Sequence, residues 1–171
     1  HEMTEMVMAK MGQYAHGNQP IQHMVYLYNY ANQPWKAQFH ARQVMSKLYD
    51  ATENGYPGDE DQGQTSSWYV LSALGFYSVT PGTGEYVFGS PVFKKTTINL
   101  ENGKKFVIEA PENSVSNVYV NAASLNGKEY TRNFITHQDL LNGGTLKLEM
   151  SNKPALNKGL AETDKPFSLT N

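Results

Sequence analysis

The densest group of ionisable side chains in this sequence is a run of three consecutive acids flanked by glycines. It spans Gly58–Gln64 and reads G-D-E-D-Q-G-Q. Adjacent carboxylates repel one another, so such a run is tolerated where a cation or water compensates the charge. The flanking glycines allow a ligand to approach the backbone closely. A carboxylate at Asp59 or Asp61 can therefore act as a general base, a metal ligand or a helix N-cap. In extended backbone these two side chains point to the same side.

Two other interpretations of the acidic run are a capping loop and a calcium loop of the EF-hand type. A plain surface loop would precede a helix that Thr65 or Ser66 could cap without the acids. The spacing of the acids resembles the start of an EF-hand, but that loop needs glycine at its sixth position and glutamate at its twelfth. These positions are Gln64 and Val70, so we exclude an EF-hand.

A second polar cluster, H-G-N-Q-P, spans His16–Pro20, and His23 follows it closely. The side-chain amides of Asn18 and Gln19 are hard oxygen donors, which suit calcium or the hydroxyls of a sugar. The alternative is an ordinary turn in which Asn18 caps the following helix. The residues alone leave both interpretations open.

Composition narrows the class of protein. The 171 residues are 39% hydrophobic and 18% charged, which is typical of a folded globular protein. A net charge of −2 gives no reason to expect nucleic acid or an anionic membrane as a partner. No apolar run approaches the roughly 20 residues that span a bilayer. The absence of cysteine excludes disulfides, thiolate metal sites and a cysteine nucleophile. Because the chain begins with His1 rather than Met, we expect an upstream segment to be missing.

Four segments of residues 1–80 carry apolar side chains at helical spacing. Pro20 and Pro34 are well placed in first turns, and Gly75 can end the last helix. That last helix is apolar on more than one side, so we expect it to be buried. The apolar sets are Met3, Met6 and Val7; Ile21, Met24, Val25 and Tyr28; Ala41, Val44, Met45 and Leu48; and Trp68, Val70, Leu71 and Leu74.

Residues 81–154 are rich in β-branched and aromatic side chains, which predicts short strands. The pair Asn102-Gly103 predicts a hairpin, because both residues tolerate positive φ. Residues 155–171 are polar and are expected to form a loosely held tail. Helices followed by strands indicate an α+β protein rather than a βαβ fold. The predicted strands are Val92–Leu100, Lys105–Ala110, Asn117–Ala122 and Thr145–Met150.

Several longer motifs resemble glycoside hydrolase family 92, a family of exo-acting α-mannosidases. The two most specific are G-N-Q-P-I-Q-H-M to Q-P-W, over 17–35, and G-D-E-D-Q-G-Q-T-S-S-W-Y-V-L-S-A-L-G-F-Y, over 58–77. Shorter matches are Y-V-F-G-S-P-V-F, L-N-G-K and G-G-T-L, so the resemblance extends to about Pro154. It implies that residues 1–80 are the final helices of an (α/α)6 barrel, followed by a mainly antiparallel β region over 81–154.

The resemblance also implies an inverting, calcium-dependent hydrolysis of α-mannosidic bonds, with α-1,2 bonds as the expected linkage. Inversion needs two carboxyl groups about 6.5–9.5 Å apart, one acting as the acid and the other as the base that activates water. On this basis Asp61 is the expected base, and Asp59 holds the water or tunes its partner.

The same resemblance assigns further roles. Calcium contacts hydroxyls of the terminal mannose, and Asn18 and Gln19 are the expected ligands, although many family members have glutamate where this chain has Gln19. His1 and Glu2 correspond to a pair that meets the leaving-group sugar, and His23 is assigned to substrate binding.

The general acid of the family is a glutamate upstream of His1, so we expect this chain alone to be inactive. The implied partners are a mannose-containing glycan and the upstream part of the same protein, with bacterial export as the implied location. Two alternatives are a non-catalytic glycan-binding or structural module, and part of another (α/α)6 enzyme such as a glycoside phosphorylase. A phosphorylase needs a basic phosphate site, and no Arg or Lys flanks the acidic run in the sequence.

Overall fold

The computed structural model describes residues 2–169, apart from the side chains of Glu2 and Met8. The first half is helical, with α1 (Glu2–Ala9), 3-10 turns at Gln19–Ile21 and Met24–Asn29, α2 (Pro34–Leu48) and α3 (Gln64–Leu74). The second half contains β1 (Phe76–Tyr77), β2 (Glu85–Phe88), β3 (Lys95–Asn99), β4 (Lys105–Glu109), β5 (Tyr119–Leu125), β6 (Lys128–Glu129), β7 (Phe134–Thr136), α4 (His137–Asn142), β8 (Gly144–Ser151) and a 3-10 turn at Glu162–Asp164. The predicted α+β class is confirmed.

The strands form two sheets. A three-stranded antiparallel sheet has the order β1-β2-β7, and a five-stranded sheet has the order β3-β4-β8-β5-β6. In the larger sheet β4 and β8 run parallel, whereas the other neighbours are antiparallel. The mainly antiparallel character predicted for this region is confirmed. No helix within residues 2–169 is long and apolar enough to cross a membrane.

Helix α2 follows its sequence pattern. Pro34 lies in the first turn, where its missing N–H costs nothing. The predicted inner face is buried at Ala41, Val44 and Met45. The buried Gln38 fixes this helix to the larger sheet, because its Oε1 accepts the backbone N–H of Val120 at 2.9 Å.

Helix α3 departs from its pattern on one side. Trp68 is fully buried, and Gly75 ends the helix with a φ of 104°. Val70, however, is 57% exposed, so the prediction that it is buried was wrong. The reason is that two polar residues, Thr65 and Ser72, occupy the buried face instead.

The predicted helix at 21–28 is two 3-10 turns rather than an α-helix. Val25 is buried as the pattern predicted, but Met24 is 47% exposed and Tyr26, outside the predicted apolar set, is fully buried. Tyr26 takes the inner position because its hydroxyl donates to Ser72 at 2.7 Å and its ring stacks on that of Tyr77. Pro20 lies in the first of the two turns, as expected.

The four predicted strands are β3, β4, β5 and β8, with shifted ends. The four shorter strands and α4 were missed, because segments of two to six residues carry too little periodicity to detect. A hairpin does join β3 and β4 at Asn102-Gly103. Positive φ at both residues occurs instead at Asn126-Gly127, between β5 and β6.

Part of the C-terminal tail is bound to the loop before β7, so the expectation of a loose tail was wrong for the stretch around Gly159 and Asp164. Asn133 donates its side-chain amide to the Gly159 carbonyl at 2.7 Å and its backbone N–H to the Asp164 carbonyl at 2.8 Å. The Thr131 hydroxyl donates to the Asp164 carboxylate at 2.6 Å. These bonds satisfy polar groups that burial would otherwise penalise.

Arg42 joins the helices to the loops of the β region. Its guanidinium donates to the side chain of Asn113 at 2.7 Å, to the Ser114 carbonyl at 2.9 Å and to the Pro91 carbonyl. Asn113 is itself buried and donates to the Val92 carbonyl at 2.6 Å. One side chain of α2 thus satisfies three acceptors beyond the helices.

Replacing Arg42 with Met should lower the free energy of unfolding by about 2–3 kcal/mol, because three acceptors lose a charged donor. Urea denaturation of the 171-residue chain measures this change. Arg132→Met is the matched control, since Arg132 is exposed and lies over the Phe134 ring. Equal effects of the two substitutions would contradict this role of Arg42.

Candidate active-site cleft

The two polar clusters predicted from the sequence line one cleft of about 820 Å³. Its walls come from α1, the loop before the first 3-10 turn, the end of α2 and the acidic loop at 58–63. The cleft therefore combines groups that can bind cations, sugars and protons. Its ionisable and amide side chains are Glu5, Lys10, Asn18, Gln19, Lys47, Asn54, Asp59 and Asp61.

A backbone contact between two glycines brings the clusters together. A Cβ placed on Gly17 would lie 2.8 Å from the Cα of Gly58, and one placed on Gly58 would lie 2.6 Å from the Cα of Gly17. Any larger residue at either position would overlap the facing backbone. Gly58 also has a φ of 64°, a conformation that favours glycine.

Glu5 of α1 is a cleft residue that the sequence analysis missed. Both of its carboxylate oxygens accept the backbone N–H of Gly17, at 3.0 and 2.9 Å. The helical pattern of α1 identifies apolar positions and does not distinguish an inward carboxylate from a solvated one. The contact with Gly17 is made between segments that are separate in sequence, so no local signal could have revealed it.

The acidic loop is not extended, which corrects the geometry expected from the spacing of Asp59 and Asp61. Asp61, Gln62 and Gly63 have φ values of 56°, 55° and 99°, so the chain makes a left-handed turn before α3. Asp59 is exposed and Asp61 is half-buried. Both line the cleft, but a turn rather than strand alternation brings them there.

Glu60, the middle acid, caps helix α3. Its carboxylate accepts the backbone N–H of Gly63 and that of Ser66, the latter at 3.3 Å. A hydrogen bond from the Ser66 side chain, supported by these two backbone N–H groups, holds the pKa of Glu60 below its usual range. Neither Ser66 nor Thr65 provides the cap. The Thr65 hydroxyl instead donates to the Asp59 carbonyl at 3.0 Å.

Asn18 occupies the N-cap position of the first 3-10 turn, but its side chain makes no capping hydrogen bond. The capping role considered for it from the sequence is therefore wrong. Asn18 is half-buried and Gln19 is exposed, and both line the cleft. They line the same cleft as Glu5, which favours the ligand interpretation of this cluster.

His16 lies beneath the cleft and is fully buried. Its Nδ1 contacts the Tyr14 hydroxyl at 2.6 Å, and its Nε2 contacts the Tyr49 hydroxyl at 2.7 Å. Its ring centroid lies 4.2 Å from that of Trp68. Burial lowers the pKa of His16 to about 3, so the ring is neutral at physiological pH.

Among the remaining predicted site residues, only the side chain of His23 lies in the described part of the chain. His23 is half-buried and is not among the residues that line the cleft. His1 lies outside the described residues, as does the side chain of Glu2. Their assigned contacts with sugar stay predictions.

Two lysines lie in the cleft, although none flanks the acidic loop in sequence. Lys10 and Lys47 come from the end of α1 and the last turn of α2. Lys47 donates to the Ala9 carbonyl at 3.1 Å, which ties α2 to α1. The cleft therefore contains amines as well as carboxylates.

Comparisons with known proteins agree on one family. Residues 1–152 match the family model described as the glycosyl hydrolase family 92 catalytic domain. The structure of an inverting family GH92 mannosidase from Bacteroides thetaiotaomicron has 54% identity and a TM-score of 0.90, covering 99% of this chain and 23% of that one. A second structure from that organism, a family GH92 α-mannosidase, has 36% identity and a TM-score of 0.89, covering 93% of this chain and 22% of that one.

A curated protein of Arthroderma benhamiae, named an uncharacterized secreted glycosidase, is 35% identical over 156 residues. The match covers 90% of this chain and 20% of that protein. The chain thus spans about a fifth of the length of the relatives it matches.

Proposed function

Because the chain belongs to glycosyl hydrolase family 92, we propose that it forms part of an exo-acting, inverting α-mannosidase that releases mannose from glycans. The observation that carries this proposal is the cleft, which Asp59 and Asp61 line together with Asn18 and Gln19. Relatives named as mannosidases, one of them as inverting, support the reaction and its stereochemistry.

Asp61 is proposed as the general base that takes a proton from the attacking water. An inverting base must leave room for water between its carboxylate and the sugar, and an open cleft of about 820 Å³ offers that room. Glu60 is excluded from this role, because its carboxylate is occupied with the N-terminus of α3. Asp59, which is exposed and lines the same cleft, is proposed to hold the water or to tune Asp61.

The donor chemistry of the cleft fits calcium, which prefers carboxylate and amide oxygens. We assign Asn18 and Gln19 as ligands, and Glu5, which lines the same cleft, supplies negative charge that the Gln19 amide lacks. Within residues 2–169 no three His, Cys, Asp or Glu side chains are grouped to hold a metal ion. This chain would therefore supply only some of the about six to eight oxygens that calcium takes. Bound calcium would contact the terminal mannose and stabilise its distorted ring.

The general acid is proposed to lie in the upstream part of the full-length protein, which would also supply the outer sugar subsites. The partners are then a mannose-containing glycan and that upstream part. The α-1,2 linkage and export from a bacterial cell are proposed from the family resemblance. The name of the secreted Arthroderma relative supports export in general.

A glycoside phosphorylase is the main alternative, because Lys10 and Lys47 give the cleft the basic groups that phosphate binding requires. Phosphate-dependent formation of mannose 1-phosphate would identify that reaction.

A non-catalytic module that binds glycan or supports a partner is the other alternative. It would bind mannosides without needing either aspartate as a base.

Replacing Asp61 with Asn in the full-length protein should lower kcat by about 10²- to 10⁴-fold, because the amide cannot take a proton from water. Asn tolerates the left-handed conformation of this position, so the turn should persist. Mannose release from an α-1,2-linked disaccharide is the assay. Glu53→Gln, at an exposed acid that does not line the cleft, is the control. Full activity of the Asp61 variant would reject the assignment.

Chelation of calcium should abolish mannose release by the full-length protein, and added calcium should restore it. Asn18→Ala should raise the calcium concentration required for half-maximal activity by about 10-fold or more, by analogy with the loss of other metal-site contacts. Asn54→Ala is the matched control, because Asn54 lines the cleft without an assigned metal contact. An unchanged calcium requirement in the Asn18 variant would remove Asn18 from the ligand set.

The purified 171-residue chain should release no mannose, because it lacks the proposed general acid and part of the pocket. Loss of a general acid alone costs about 10²- to 10⁴-fold in rate. Intact mass of about 19 kDa, consistent with the 19.1 kDa sequence, identifies the material in the assay. Chelator-sensitive release of mannose by a chain of that mass would mean that the acid lies within these residues.

A further inference from the structure

A chain of hydrogen bonds runs behind the acidic loop and has no role in the chemistry proposed above. The ring nitrogens of His16 contact the hydroxyls of Tyr14 and Tyr49 at 2.6 and 2.7 Å. The Tyr49 hydroxyl also donates to the Thr65 carbonyl at 3.3 Å. The Thr65 hydroxyl in turn donates to the Asp59 carbonyl at 3.0 Å. The chain thus connects the segment before Gly17 with the end of α2, the start of α3 and the acidic loop.

The direction of these hydrogen bonds follows from the number of protons available. A tyrosine hydroxyl has one proton, and a neutral imidazole has one N–H and one lone pair. When Nε2–H of His16 donates to the Tyr49 hydroxyl, the Tyr49 proton is free for the Thr65 carbonyl. Nδ1 then accepts from the hydroxyl of Tyr14. One tautomer of the ring satisfies all of these bonds.

Two contacts attached to this chain hold the first residues of the acidic loop, one at Asp59 and one at Gly58. On the side of α3, the hydroxyl of Thr65 binds the loop backbone. On the other side, the residue that follows His16 is Gly17, which packs directly against Gly58. Asp61, two residues after Asp59, has a φ of 56°, a conformation that persists in a non-glycine residue when its surroundings over-determine it.

The hydrogen bonds of Gln22 also hold His16 in place. The Gln22 side chain is fully buried and donates to the His16 carbonyl at 3.2 Å. The Gln22 carbonyl accepts the indole N–H of Trp68 at 2.9 Å. Through Gln22, the backbone of His16 is therefore hydrogen-bonded to Trp68 of α3. This link restricts movement of His16 relative to that helix.

We propose that His16, in its Nε2–H tautomer, is a positioning residue that orders the acidic loop and orients Asp61 for catalysis. His16 itself touches neither substrate nor the proposed calcium. This inference rests on the proposed role of Asp61 as the base. In this proposal the hydroxyls of Tyr14 and Tyr49 hold the His16 imidazole in that tautomer.

Kinetics of the full-length protein test the positioning role. Tyr49→Phe keeps the ring but breaks the chain between His16 and Thr65, and it should lower kcat about 10- to 100-fold with KM unchanged, because misplacement of the base affects the transition state. Tyr69→Phe is the matched control, since the Tyr69 ring packs on that of Tyr49 at 4.7 Å without belonging to the chain. His16→Gln, whose amide offers a donor and an acceptor, should retain more activity than His16→Phe.

Three results would overturn the proposal: equal kcat values for the Tyr49 and Tyr69 variants, a change in KM alone, or no advantage of Gln over Phe at position 16. Thermal unfolding of each variant identifies loss of folded protein. A structural role without positioning would lower the fraction of folded enzyme and leave kcat per folded molecule unchanged.

Neutron diffraction from crystals of the full-length protein in D2O tests the tautomer without any activity. A deuteron on Nε2 of His16 and none on Nδ1 is expected, whereas a deuteron on Nδ1 would overturn the assigned direction. Failure of the proposed role of Asp61 as the base can be distinguished from failure of the proposal for His16. In that case Asp61→Asn would stay fully active, and the deuteron map would still report on His16.

Discussion

The contact between Gly17 and Gly58 is the constraint on which the candidate site depends. The two loops meet at backbone distance, so a single methyl group at either position would push them apart. The same point anchors α1, because the Glu5 carboxylate binds the N–H of Gly17. The amides of one loop and the carboxylates of the other therefore line one cleft because residues 17 and 58 are both glycine.

Beneath that contact the interior is unusually polar, and this polarity gives the site a defined geometry. His16, Gln22, Thr65 and Ser72 are all buried, and each has a hydrogen-bond partner within the helical half. A satisfied polar network in a low-dielectric interior favours one arrangement over its alternatives, because any other packing leaves a buried group unpaired. Apolar packing alone, which is nondirectional, would specify the loops less closely.

The backbone conformation of the acidic loop directs Glu60 to helix α3 and leaves Asp59 and Asp61 in the cleft. Glu60 turns toward the N-terminus of α3, where the helix dipole and free N–H groups favour its charge. The left-handed turn at Asp61 and Gln62 then leads the chain into that helix. Asp59 and Asp61 line the cleft. Because the Glu60 carboxylate binds the N-terminus of α3, only two of the three carboxylates repel one another there.

The sequence by itself determined the α+β class, helix α2, the four longest strands and the family, because these follow from local periodicity and from long specific motifs. It also identified the two clusters that line the cleft. Tertiary structure alone decided the inner face of α3, the 3-10 turns around Tyr26, the packed tail, and the roles of Glu5 and His16. Each of these depends on a partner distant in sequence, such as Ser72 for Tyr26 or Gly17 for Glu5. Local patterns carry no information about such pairings, since hydrogen bonds and close backbone approach form only when the chain has folded.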